Sequence, residues 1–63
     1  MNSIRFYFRD SVNAHCFVSD CQNLGYWACT FKSGLPEGAV LGVECSPLAE
    51  GLCESRYWSF ILH

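Results

Sequence analysis

The sequence predicts an α+β fold, ordered β-α-β-β-β, with one helix packed on a small, mainly antiparallel sheet. Three observations carry that expectation. Ile4, Phe6 and Phe8 alternate with Arg5, Tyr7 and Arg9, the period-2 pattern of a half-buried strand. Ala14, Phe17, Val18, Cys21 and Leu24 recur at i, i+3, i+4, i+7 and i+10, which gathers them within about 120° of a helix circumference. Residues 26–32 and 39–45 alternate again on either side of Gly34-Leu35-Pro36-Glu37-Gly38, a composition suited to a hairpin connection.

The first strand spans Ser3 to Arg9. Asp10 or Ser11 can cap the helix that follows, and Gly25 can end it. Asn, Ser, Val and Cys are weak helix formers, so packing against the sheet has to hold this helix in place. A competing reading makes residues 14–18 extended and yields a small all-β five-stranded barrel. For the hairpin, pairing Phe31 with Leu41, Cys29 with Val43 and Trp27 with Cys45 puts six apolar side chains on one face and Glu44 on the other. In the connecting loop, Pro36 suits the second turn position and Gly38 the last. Ser46-Pro47 opens a short helical turn or loop to about Glu54, with proline at the favoured first position; Gly51 argues against a long helix there. Tyr57 to Leu62 completes the sheet as a strand with Trp58, Phe60 and Leu62 on one face. A terminal strand this apolar needs cover, from the sheet or from a second copy of the chain.

Sixty-three residues make a single compact domain, 1–63. The chain is 51% hydrophobic, 16% aromatic and 16% charged, against about 25% charged in average domains. Such a composition folds; disordered chains are poor in aromatics. Two Trp, three Tyr and five Phe exceed what so small a body hides, and clustered exposed rings mark a contact surface. The net charge of −2 speaks against general nucleic-acid binding, which needs a basic face. Residues 33–63 hold Glu37, Glu44, Glu50 and Glu54 against Arg56 alone, so the acidic half suits a basic partner. The N-terminal apolar run is broken by Arg5, unlike an export signal, and no stretch approaches the roughly 18 apolar residues of a membrane span. The expectation is a cytoplasmic protein whose five cysteines are free thiols.

Chemistry is harder to assemble. Cys16 and Cys21 have zinc-like spacing, yet five residues of helix turn the chain by about 140°, which points Cys21 to the core and Cys16 to solvent. Neither is expected to bind metal, and the thiols read as small buried hydrophobes, with Cys21, Cys29 and Cys45 on core faces. A Cys29–Cys45 or Cys45–Cys53 disulfide would need an oxidising setting. His15 lies on the polar face of the helix with no carboxylate placed beside it, and His63 is terminal. No glycine-rich phosphate loop is present, and a chain this short has little volume for a small-molecule pocket. No cofactor and no enzymatic activity are expected.

What remains is binding. Compact chains of this profile, encoded by viruses or mobile elements, commonly block host enzymes. The expectation is a small protein-binding module, an inhibitor or modulator of a larger, nucleic-acid-handling enzyme, contacting it through Arg5, Tyr7, Arg9, Glu44, Glu54 and Tyr57. Two alternatives stand beside it. Arg5, Tyr7 and Arg9 form a row that can stack bases and hold phosphates of a single strand, and Cys16 with Cys21 can anchor a zinc-stabilised interaction domain. A homodimer through the C-terminal strand is compatible with each. Membrane is excluded as a partner and nucleic acid is disfavoured.

Overall fold

The computed structural model describes residues 2–63. The elements are β1 (Ile4–Phe8), α1 (Ser11–Asn23), β2 (Ala28–Phe31), β3 (Leu41–Cys45), a 3-10 turn (Pro47–Ala49), α2 (Glu50–Arg56) and a second 3-10 turn (Trp58–Phe60). The three strands form one antiparallel sheet in the order β1-β3-β2. The architecture is α+β with an open sheet. Residues 14–18 lie inside α1, which overturns the barrel.

The Asp10 side chain caps α1, its Oδ2 accepting from the Asn13 N–H at 2.9 Å and satisfying a donor that a helix start leaves free. Leu24 forms the C-cap and Gly25 follows at φ +80°, a left-handed position that glycine adopts without steric strain. Ala14, Phe17 and Cys21 are buried along one stripe, with Val18 half-buried beside them. Leu24 was expected in that stripe, but the chain turns there and leaves it 57% exposed.

The hairpin register differs from the expected one by a residue. Ala28 pairs with Cys45, Cys29 with Glu44, Thr30 with Val43 and Phe31 with Gly42. Glu44 keeps its outward face, but Cys29 and Phe31 join it there instead of entering the core. The physical reason lies at Gly42, where the Phe31 ring occupies the space a side chain would fill. On the opposite face, the small Ala28 lets α1 approach. The turn also shifts: Pro36 C=O accepts from Ala39 N–H at 3.1 Å, which puts Pro36 first in the turn and Gly38, at φ +93°, third.

The expected C-terminal strand does not form. Ser46 Oγ accepts from Leu48 N–H at 3.2 Å, opening the 3-10 turn that runs into α2. Ala49, Cys53, Tyr57 and Ile61 are all buried, and their four-residue spacing is the face of a helical path, not of a strand. Tyr57 carries the chain inward. Its ring packs on Phe8 and Phe17, with centroids 6.2 and 5.4 Å away, and its hydroxyl donates to Asp20 on α1. Beyond the second 3-10 turn, a single bridge among the described residues, Phe8 with Ile61, links the tail to β1.

Phe8, Phe17, Val43, Cys21, Cys45 and Cys53 are the largest fully buried side chains. They come from both helices and one face of the sheet, so the helices share that face and the other carries no helix. No helix is long and apolar enough to cross a membrane among the described residues.

Candidate functional site: the helix-free face of the sheet

Strand alternation sends Arg5 and Tyr7 from β1, Glu44 from β3, and Cys29 and Phe31 from β2 to the face without helices. The side chains there are already organised. Arg5 Nε lies 3.3 Å from Glu44 Oε1, and Ser3 Oγ donates to Glu44 Oε2 at 2.6 Å. The Arg5 guanidinium stands over the Phe31 ring, 4.9 Å from its centroid. Tyr7 meets the same ring edge-on, at 5.9 Å and 83°. Phe31 is thus the hub, seated on Gly42 and gripped from two sides. The Ser3 hydroxyl, followed by the Arg5 charge, holds the Glu44 carboxyl below its ordinary pKa.

At one end, this face passes into an open groove of about 310 Å3, lined by Asn2, Ser3, Tyr26, Trp27, Glu44 and Leu48 among others. That is more than the little volume expected of so short a chain. Trp27 and Leu48 are 51% and 73% exposed, so the groove has apolar walls with Glu44 and Ser3 at its polar side.

The six residues singled out from the sequence do not all meet here. Arg5, Tyr7 and Glu44 come together. Arg9 follows β1, exposed, with no ion-pair partner among the described residues. Glu54 is exposed on α2, away from this face. Tyr57 is only 7% exposed and stands in the core, not on the surface where the sequence placed it. Burial and then the Asp20 hydrogen bond push its phenol up to about 12. Phe31, Trp27 and Leu48 were not singled out. A glycine inside a strand, such as Gly42, signals close approach of another group, and that clue could have placed Phe31.

Cys16 is exposed and Cys21 buried, on different sides of α1. Among the described residues, no three His, Cys, Asp or Glu side chains are grouped to hold a metal ion. All five cysteines are free, and Cys29 and Cys45 stand on opposite faces of the sheet. Cys29 is exposed, correcting its expected core position, whereas Cys21, Cys45 and Cys53 are buried. Burial pushes the Cys45 and Cys53 thiols up to about 12, which keeps them protonated and poor as nucleophiles or ligands. His15 is exposed on α1, and His63 packs against Trp58 with ring centroids 4.2 Å apart and planes inclined by 49°.

Fold and face together describe a small α+β protein with an open antiparallel sheet, one surface of which carries an ordered aromatic and ionic cluster. Set against family models, curated proteins and solved structures, the chain matches none.

Proposed function

We propose that this chain is a protein-binding module, an inhibitor or modulator of a larger protein, and that the helix-free face is its contact surface. The observation that carries this reading is the continuity of the Arg5–Tyr7–Phe31–Glu44 cluster with a groove walled by exposed Trp27 and Leu48. Arg and aromatic side chains dominate the energetics of protein interfaces, and fully covering one large apolar side chain contributes about 1.5–3 kcal/mol. The cluster is held in place before any partner arrives, so little side-chain freedom is lost on binding. Glu50 and Glu54, exposed one helical turn apart on α2 and away from that face, add negative potential that would steer approach toward a target with a basic surface, as in a nucleic-acid-handling enzyme.

Direct binding of a single strand is the weaker reading. Arg5 is engaged by Glu44, and Tyr7 is half-buried with its ring set edge-on to Phe31. The row therefore offers less free charge and ring face than stacking of bases needs.

Affinity capture from the native cells decides the matter, using wild type, Leu48→Ser, Tyr7→Ala and, as a control away from the face, Ser55→Ala. A stoichiometric protein should be recovered with wild type and the control, and fall at least about tenfold with the two face variants, a loss of about 1.4 kcal/mol. Repeated recovery of no protein, or equal recovery by folded face variants, rejects the proposal.

A further inference from the structure

The two edges of the sheet are treated differently. On β1, Arg5 and Arg9 are charged, Tyr7 C=O accepts from Leu62 N–H at 2.7 Å, and Arg9 N–H donates to Phe60 C=O at 2.9 Å. That edge is blunted by charge along its length and covered by the chain's own tail at its C-terminal end, devices that edge strands commonly use. The β2 edge has neither device. Tyr26-Trp27-Ala28-Cys29-Thr30-Phe31 contains no charge and no proline. Trp27 C=O accepts from Ser46 N–H, which turns the backbone groups of Trp27, Cys29 and Phe31 toward β3 and those of Ala28 and Thr30 outward. Among the described residues, no hydrogen bond from another segment reaches those outward groups. Cys29 and Thr30 point to opposite faces and both are exposed, so the edge is open from either side.

We propose that β2 is the seam of a homodimer, in which two copies pair antiparallel along this edge with Cys29 facing Cys29 across the two-fold axis. The strand is complementary to itself in that register. Ala28 of each chain exchanges N–H and C=O with Thr30 of the second copy, which satisfies every outward group named above. The intervening positions form the closer, non-hydrogen-bonded pairs: Cys29 with its counterpart, and exposed Trp27 with Phe31 of the second copy. Aromatic cross-strand pairs stabilise sheets, and no two like charges are opposed between residues 27 and 31. A two-fold contact uses each β2 once and leaves outside only the β1 edges, which carry Arg5 and Arg9 and are capped by the tail at one end, so assembly stops at two chains. This seam replaces the C-terminal strand as the route to a dimer, since residues 58–60 form a 3-10 turn. So short a seam buries less than the roughly 1,200 Å2 of a standard interface, and the dimer is accordingly weak and concentration-dependent.

Sedimentation equilibrium of the reduced protein from about 5 to about 500 µM, the span of weak affinities, should show the mass rising from 7.1 kDa toward twice that value. Thr30→Pro removes an outward N–H without touching the bonds to β3, a placement edge strands tolerate, and should weaken dimerisation at least about tenfold. Thr30→Lys places a charge on the same edge and should act alike, which keeps the test decisive if the proline variant fails to fold. In Cys16→Ser protein at high concentration, a mild oxidant that accepts two electrons and two protons should join the chains through Cys29, as mapped by mass spectrometry. A wild type that stays monomeric throughout would sink the proposal. So would folded Thr30 variants that dimerise like wild type, or a dimer in which Cys29 does not cross-link.

Discussion

Gly42→Ala tests the hub of the candidate site. A Cβ at residue 42 would lie 2.3–2.6 Å from three carbons of the Phe31 ring, where ordinary contact begins near 3.4 Å. The ring must therefore move by about 1 Å or more, a displacement that forfeits at least about half of the short-range attraction. Its edge contact with Tyr7 is worth about 0.5–1.5 kcal/mol, and the Arg5 contact about 0.5–1 kcal/mol at an exposed site. Against these losses stands a gain of about 0.5–1 kcal/mol from replacing a strand glycine by alanine. The atoms met are the far end of a half-buried side chain, which can swing into solvent, so the net loss is about 1 kcal/mol and not the larger penalty of a rigid clash. In a domain this small, that lowers Tm by about 4–8 °C. Thermal unfolding followed by circular dichroism should show the drop in the wild-type background. In a Phe31→Ala background, where the obstructing ring is gone, the same substitution should be neutral or stabilising by about 0.5 kcal/mol. An equal loss in both backgrounds would refute the reasoning, because the effect would then have nothing to do with Phe31.

Two further outcomes follow from the cysteines. In dilute native protein, a thiol-alkylating reagent should modify Cys16 and Cys29 rapidly and spare Cys21, Cys45 and Cys53, with all five reacting in denaturant; protection of Cys29 would mean that β2 does not have the register described. Stability should also decline in alkali. Folded Cys45 and Cys53 hold their protons to about 12 against an ordinary 9.0, and Tyr57 to about 12 against 10.0, chiefly through burial. The unfolded chain releases these protons first, so between those values it binds fewer than the native state and unfolding becomes easier as pH rises. Urea titrations should give a stability that is level with respect to these groups below about pH 8 and falls progressively from about pH 9 toward pH 12; no change between pH 8 and pH 11 would contradict their burial.

Local signals were sufficient for much of the fold. The alternation in β1, the stripe on α1, its Asp10 cap and its Gly25 terminus follow from nearest-neighbour geometry and capping chemistry, and each stands where the sequence predicts it, except that Leu24 leaves the stripe where the helix ends. The second helix was legible in principle, since Ala49, Cys53, Tyr57 and Ile61 repeat every four residues. The alternating apolar run after Tyr57 and the glycine at 51 obscured it. Short apolar segments satisfy either period, and only the core position offered to Tyr57 beside Phe8, Phe17 and Asp20 makes the helical path the better one.

Composition and periodicity by themselves determine that this chain folds, that helix and sheet share one apolar core, and that Arg5, Tyr7 and Glu44 look outward. The tertiary structure alone decides which strand edge is covered and how β2 slides along β3. Register and cover depend on volumes meeting across space, such as a ring finding the gap above Gly42. A one-dimensional pattern of apolar and polar residues fits two neighbouring registers almost equally well, and it holds no measure of that gap.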